Sequence, residues 1–335
     1  MPARSSATKA PFAYFRRALD SAPVPTEIPP VPTADAPLLF DSAFLAKLEQ
    51  LFLLSKRLFR GDHRAERRSR QSGASLDFAD YRNYVLGDDL RSLDWNVYGR
   101  LDRLFIKLFE QEQDLHVYFL IDASASMSWQ PEGGPGAAMS KLAQACHVSA
   151  SLAYIALANL DRVDLLWFNE GLAGGLGLAR GKSRFHPVLE FLRRPPRPRG
   201  DTRLLASFKA FAQRRRRRGL VFVLSDLFDP AGFQEGLDLL RYERFEIQVL
   251  HLLHPAELDP GAAGDLRLTE PEAGRTMDIT ADESLVRAYR REMESFLAQV
   301  ARFCQQRGLG YHRALATVPF EELVLRTLRD GVMMQ

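Results

Sequence analysis

Only two cysteines occur in 335 residues, Cys146 and Cys304, and they stand far apart. Neither a disulfide framework nor a cysteine metal spacing follows from them, so both read as buried free thiols of a reducing compartment. Lysine is scarce as well. Seven lysines stand against 38 arginines, and the formal net charge is +3. A balance this modest gives no argument from charge alone for a nucleic-acid or membrane partner. None of the seven histidines sits at a spacing that suggests a ligand pair or a catalytic base. Long apolar runs are missing too: no stretch approaches the ~20 residues of a membrane span. The opening MPARSSATKAPFAYFRRALD lacks the apolar core of a secretory signal, so the expected location is cytoplasmic.

The usual signatures of catalysis are also absent. No Gly-x-Ser-x-Gly nucleophile elbow occurs. The stretch GLGLARGKS, residues 175–183, has Leu176 where a phosphate-binding loop needs glycine, and the strand expected before it is poor. A phospho-acceptor reading of Asp122 would need a second aspartate two residues on, where Ser124 stands.

What is present is a chain able to fill a large core, with 46% hydrophobic residues. Residues 1–38 are rich in Pro, Ala, Ser and Thr and read as a disordered lead. From Asp41 the apolar residues Phe44, Leu45, Leu48, Leu51, Phe52 and Leu58 recur at near-helical spacing, with Asp41 or Ser42 placed to cap and Gly61 to end the helix. A basic connector, 62–75, follows. Residues 76–114 then mix Phe78, Tyr81, Tyr84, Trp95 and Tyr98 with Arg82, Asp88, Asp89, Arg91 and Asp94. A catalytic carboxylate pair could be built there, but a turn at Gly87 and a packed polar network account better for the pattern. The segment 103–110 reads as a strand leading toward the next one.

The centre of the chain is LHVYFLIDASASM, residues 115–127. A buried run too short for a helix hands over to one carboxylate and two hydroxyls at alternate positions, as a central parallel strand hands over to a loop. Further strands are expected at 161–168, 172–178, 220–226 (after Gly219 stops the helix before it), 245–253 and 309–313. Helices are expected at 139–159, 183–193, 203–218, 231–242, 282–307 and 320–330, and a polar hairpin after Pro255. Alternation of this kind predicts an α/β fold with a mostly parallel sheet covered on both faces.

In such a sheet, ligands bind at the carboxyl ends of the strands. Three loops should meet there, bringing Asp122, Ser124, Ser126, Thr202 and Asp226. Two carboxylates and three hydroxyls form an all-oxygen set suited to a hard divalent ion, Mg²⁺ or Mn²⁺, whose open position would accept a carboxylate from outside. The arginines of 193–199 and 214–218 raise a nucleic-acid reading. They lack interleaved stacking aromatics, and the second run would sit at a helix carboxyl end, which favours cations.

Asp-x-Ser-x-Ser after a strand, a later Thr before a helix, and an Asp ending another strand together resemble the metal-ion-dependent adhesion site of von Willebrand factor A domains. The stretch FADYRNYVLGDDLRSLDWNVYGRLDRLFIKLFEQE resembles the hallmark segment of a bacterial family called domain of unknown function 58. The resemblance implies a von Willebrand factor A-like, Rossmann-type domain at 115–313, preceded by the helix and family-specific segment of 39–114 and followed by a terminal helix and tail at 314–335. It also implies a non-enzymatic adaptor of MoxR-type AAA+ ATPases, with metal-site roles falling on Asp122, Ser124, Ser126, Thr202 and Asp226. The remaining alternatives are a Mg²⁺-dependent phosphoester hydrolase and a nucleic-acid-binding protein.

Overall fold

The computed structural model describes residues 39–59, 77–85, 87–110, 115–129, 139–197, 202–214, 217–259, 264–269, 276–281 and 283–333. The Pro-rich lead 1–38, Gly61, the connector 62–75, residues 130–138 and 198–201, and residues 215–216 of the expected helix 203–218 lie outside the described residues. In chain order the elements are α1 (Ser42–Phe59), β1 (Asp77–Asn83), α2 (Trp95–Leu101), β2 (Phe105–Glu110), β3 (His116–Asp122) and the single turn α3 (Ala125–Ser128). There follow α4 (Lys141–Ala158), β4 (Arg162–Phe168), β5 (Leu172–Gly175), β6 (Ala179–Arg180), α5 (Phe185–Leu192), α6 (Leu204–Gln213), β7 (Leu220–Ser225), α7 (Gln234–Tyr242) and β8 (Glu246–Leu253). A turn α8 (Pro255–Leu258), the hairpin β9 (Gly264–Thr269) and β10 (Thr276–Ala281), α9 (Glu283–Gln306), β11 (Gly310–Leu315) and α10 (Phe320–Met333) complete the chain.

Two compact units result. One comprises the described residues up to Phe52 together with those from Leu115 onward; the other runs from Leu53 to Asp114. In the first, the sheet order is β11-β8-β7-β3-β4-β5, with β6 beside β4. The five strands from β11 to β4 are parallel, and β5 and β6 run antiparallel at the edge. The stretch 175–183 is therefore spent on an antiparallel edge, which is no phosphate cradle. Strand β3 alternates its side chains as a pleated strand must: Val117, Phe119 and Ile121 enter one apolar layer, Tyr118 and Leu120 the other. The first layer is closed by Phe44, Leu48 and Leu51 of α1, Ala145 and Ala150 of α4, and Leu323 and Val324 of α10. The second is closed by Phe208 and Phe211 of α6, Leu237 of α7 and Val300 of α9. The sheet is thus covered on both faces, as an α/β alternation demands.

Local chemistry sets the element ends. Asp41 starts α1, its Oδ1 accepting the Phe44 N–H at 2.7 Å, and Ser140 starts α4 through the Ala143 N–H at 3.1 Å. Leu45 stands 42% exposed, on the outer side of the helix on which Phe44 and Leu48 are buried. Helix α6 stops at Gln213, short of the expected 218, because five consecutive arginines repel along a helix. Arg217 is instead tied to the sheet, its carbonyl accepting the Tyr118 hydroxyl at 2.8 Å. Gly219 does not stop a helix; it lets β7 pass His116, whose carbonyl oxygen a Cβ would meet at 2.1 Å.

The Leu53–Asp114 unit holds an antiparallel pair, β1 with β2, separate from the central sheet. Strand β1 was not expected; β2 forms within the expected 103–110, comes just before β3 in the chain, and pairs with β1. The expected turn forms at Gly87, with φ at 107°. Asp94 caps α2 through the Asn96 N–H at 2.9 Å and accepts the Tyr81 hydroxyl at 2.9 Å; Arg82 binds Asp88 at 2.8 Å. The Val85 N–H and then Arg82 hold the Asp88 carboxyl below the usual carboxylate range. Asp88 and Asp94 are thus spent on a turn and a cap, not on a carboxylate pair. Of the aromatics, Tyr81 joins the polar network and meets Phe105 edge-on, but Trp95 does not pack as expected and keeps 65% of its surface exposed. Among the described residues no helix is long and apolar enough to cross a membrane.

Candidate functional site

Strands β3 and β7 are adjacent and parallel, with Ile121 opposite Leu224, so Asp122 at the end of one meets Ser225 at the end of the other. The Ser225 hydroxyl donates to Asp122 Oδ2 at 2.6 Å, and the Ser124 N–H donates to Oδ1 at 2.9 Å. Here the chain order of the sheet also reverses: β4 lies to one side of β3, and β7, β8 and β11 to the other. The crevice at such a switch point is where open α/β sheets bind ligands.

From Asp122 the oxygens run on in a string. The hydroxyls of Ser124 and Ser126 lie 3.0 Å apart, and Ser126 donates to Asp226 Oδ2 at 2.8 Å. Asp226 follows β7 directly, and its Oδ1 accepts the Phe228 N–H at 3.1 Å. Between them Leu227 takes the left-handed conformation, φ 59°, its N–H donating to Ser225 Oγ at 2.9 Å. A buried leucine there is strained, and the surrounding bonds hold it. Thr202, 1% exposed, reaches the same end of the sheet on the loop before α6. That loop is pinned by the Arg203 N–H to Asn169 O at 3.0 Å, just beyond β4, and by the Leu204 N–H to Asp229 Oδ2 at 2.7 Å, just beyond β7. Asp122, Ser124, Ser126 and Asp226 are thus joined by hydrogen bonds through Ser225 and one another. Thr202 is brought up by its loop.

Three further side chains complete the electrostatics. Lys141, at the start of α4, has no exposed surface; its Nζ donates to Asp226 Oδ2 at 2.6 Å and to Glu257 Oε1 at 2.5 Å. Glu257 on α8 is held in turn by the His254 N–H at 2.8 Å. His251 of β8 lies 3.0 Å from the Asp226 carbonyl through Nε2 and 3.0 Å from the Tyr311 hydroxyl through Nδ1. A carbonyl only accepts, so Nε2 carries the proton and Nδ1 accepts from Tyr311.

Burial, and next the Asp226 charge, push the Asp122 carboxyl up to about 7. Burial pushes His251 down to about 4, which keeps it neutral. Burial alone would lower the Lys141 ammonium, but Asp226 and Glu257 outweigh it and hold the group charged. Glu257 is raised by its burial against the pull of Lys141. Three buried carboxylates therefore face one ammonium, a formal excess of two negative charges.

That balance and the all-oxygen donor set fit a hard divalent ion, which would cancel the excess. Asp122, Ser124, Ser126, Thr202 and Asp226 would hold it. Among the described residues no trio of His, Cys, Asp and Glu converges as a ligand set, so such a site depends on its hydroxyls.

The family model described as "Protein of unknown function DUF58" matches residues 80–297. The chain belongs to this family. Uncharacterized proteins Mb1516 of Mycobacterium bovis and Rv1480 of Mycobacterium tuberculosis are each 24% identical over 274 residues, covering 81% of this chain and 83% of theirs. Among solved structures, the conserved hypothetical protein BatB from Bacteroides thetaiotaomicron aligns over 65% of this chain and 99% of its own, with 12% identity and a TM-score of 0.40. An aerotolerance-related membrane protein from Bacteroides fragilis aligns over 64% and 99%, with 16% identity and a TM-score of 0.37. In this DUF58 chain, sequence reasoning missed Lys141, Ser225, His251 and Glu257 as site residues. One signal was available: Lys141 is one of seven lysines in an arginine-dominated chain, and it opens a helix, where a cation is disfavoured.

Proposed function

We propose that this chain is a non-enzymatic interaction module of the von Willebrand factor A kind. It holds Mg²⁺ or Mn²⁺ at Asp122, Ser124, Ser126, Thr202 and Asp226, and it offers the ion's open position to an acidic side chain of a protein partner. The observation that carries the reading is the string of oxygens from Asp122 to Asp226 at the switch point, buried except at half-buried Ser126, with two negative charges in excess. Neutral hydroxyls among the ligands leave the ion electron-poor, so an outside carboxylate binds it well. The family resemblance supplies the partner, a MoxR-type AAA+ ATPase, and with it a cytoplasmic place of action. A non-enzymatic role is supported by the state of the neighbouring bases: His251 has both nitrogens engaged, and Lys141 is held charged between two carboxylates.

The test is affinity capture from host cytoplasm with the parent in Mg²⁺, the parent in chelator, and Asp122→Ala in Mg²⁺. An ATPase retained only by the Mg²⁺-loaded parent is the expected result. The same retained proteins in all three samples would sink the reading. Phosphoester turnover lost in Asp226→Ala would replace it with a hydrolase.

A further inference from the structure

Lys141 occupies a position that three general trends oppose. It opens α4, where the helix dipole disfavours a cation. Its side chain has no exposed surface. A buried ion pair is also often no more stabilising than apolar residues of the same volume, so a merely structural post would be served by leucine or methionine. What singles the residue out is where its charge lies. Nζ shares Asp226 Oδ2 with the Ser126 hydroxyl, which continues to Ser124, so the ammonium touches the end of the candidate ligand string. The Phe228 ring, its centroid 5.3 Å from Nζ, closes another side.

We propose that Lys141 is a tethered counter-cation of the ion site, competing with the divalent ion for Asp226 and thereby setting how tightly that ion binds. This deepens the cation reading above and rests on it. Glu257 makes the competition reversible. Its Oε1 gives the ammonium a second buried partner, and its Oε2 is fixed by the His254 N–H, so Lys141 can yield Asp226 to an ion without losing all compensation. While Lys141 holds Asp226, an approaching ion meets a fixed positive charge that the interior screens weakly. The parent is therefore a site of moderated affinity, loaded or unloaded as the ion concentration changes.

The experiment is an electron paramagnetic resonance titration of Mn²⁺ into the parent, Lys141→Met, and Lys141→Met with Glu257→Gln. The double variant keeps the formal charge of the crevice at minus two and leaves no unpaired glutamate, so it carries the test if the single variant does not fold. Both variants are expected to bind at least about tenfold more tightly than the parent, from the Coulomb repulsion removed. Equal or weaker binding by folded variants, with the parent binding, overturns this inference and leaves the cation reading standing. Variants that bind when the parent does not would support Lys141 as the competing cation and sink the cation reading of the parent. If none of the three binds Mn²⁺, both ideas fall.

Discussion

In the strand-end crevice Asp122, Lys141 and Asp226 have no surface in water, while in the Leu53–Asp114 unit Trp95 keeps 65% and Leu101 60% of theirs. The first region buries charge and the second exposes apolar groups. The contrast shows what each region asks of its neighbours. The groups that meet in the crevice come from distant parts of the chain, Ser225 to Asp122 and Lys141 to Asp226 and Glu257, so the arrangement is coupled to the packing of the whole sheet. In the smaller unit Asp94 and Asp88 serve caps and turns, with the Tyr81 hydroxyl and Arg82 as partners, while Trp95 and Leu101 face water.

The largest effect should follow Lys141→Ala, which leaves Asp226 and Glu257 buried without a cation. Denaturant melts in chelator should show a loss of about 3–5 kcal/mol. A loss under about 1 kcal/mol would mean that the crevice is wetter and looser than its distances indicate.

Next comes Asp122→Asn as a function of pH, again in chelator. The Asp122 carboxyl, raised to about 7 by burial and then by Asp226, holds its proton more tightly folded than unfolded. Its contribution to stability is therefore present below about pH 4 and lost as pH rises through about 7. Asparagine does not titrate, so the variant should gain on the parent by a few kcal/mol between pH 5 and pH 8. A difference that stays flat across that range would contradict the burial of the carboxylate.

Smaller effects belong to the other region. Asp94→Ala removes the α2 cap and the partner of the Tyr81 hydroxyl, and should cost about 1 kcal/mol. Trp95→Ala should cost under about 1 kcal/mol, since its ring meets Tyr98 edge-on at 6.2 Å but is mostly in water. If Trp95→Ala proved more costly than Asp94→Ala in thermal melts, the contrast between the two regions would fail.

Much of the larger unit was legible because its signals are local. The run ending at Asp122 and the strand-like stretch before Asp226 announce parallel strands by composition, and helices such as α4 and α9 announce themselves by period and caps. Asp122, Ser124 and Ser126 could be named because a strand end places them. The rest depends on approaches across long separations: Lys141 meets Asp226 and Glu257 at 85 and 116 residues' distance in the chain. Sequence neighbours carry no trace of such pairings. The same holds for β1, whose mixed residues mark a strand only once β2 lies beside it. Helix α6 ends before the expected 218 because the arginine run, read as favourable charge at a helix carboxyl end, repels itself along a helix.

The measurement closest to the central claim is a calorimetric titration of Mg²⁺ into the parent and into Asp122→Ala, each checked for an unchanged circular dichroism spectrum. One ion bound per parent chain, and none by the folded variant, is the predicted result. Equal binding by both, or no binding by the parent, would contradict the assignment of the crevice as a divalent-ion site.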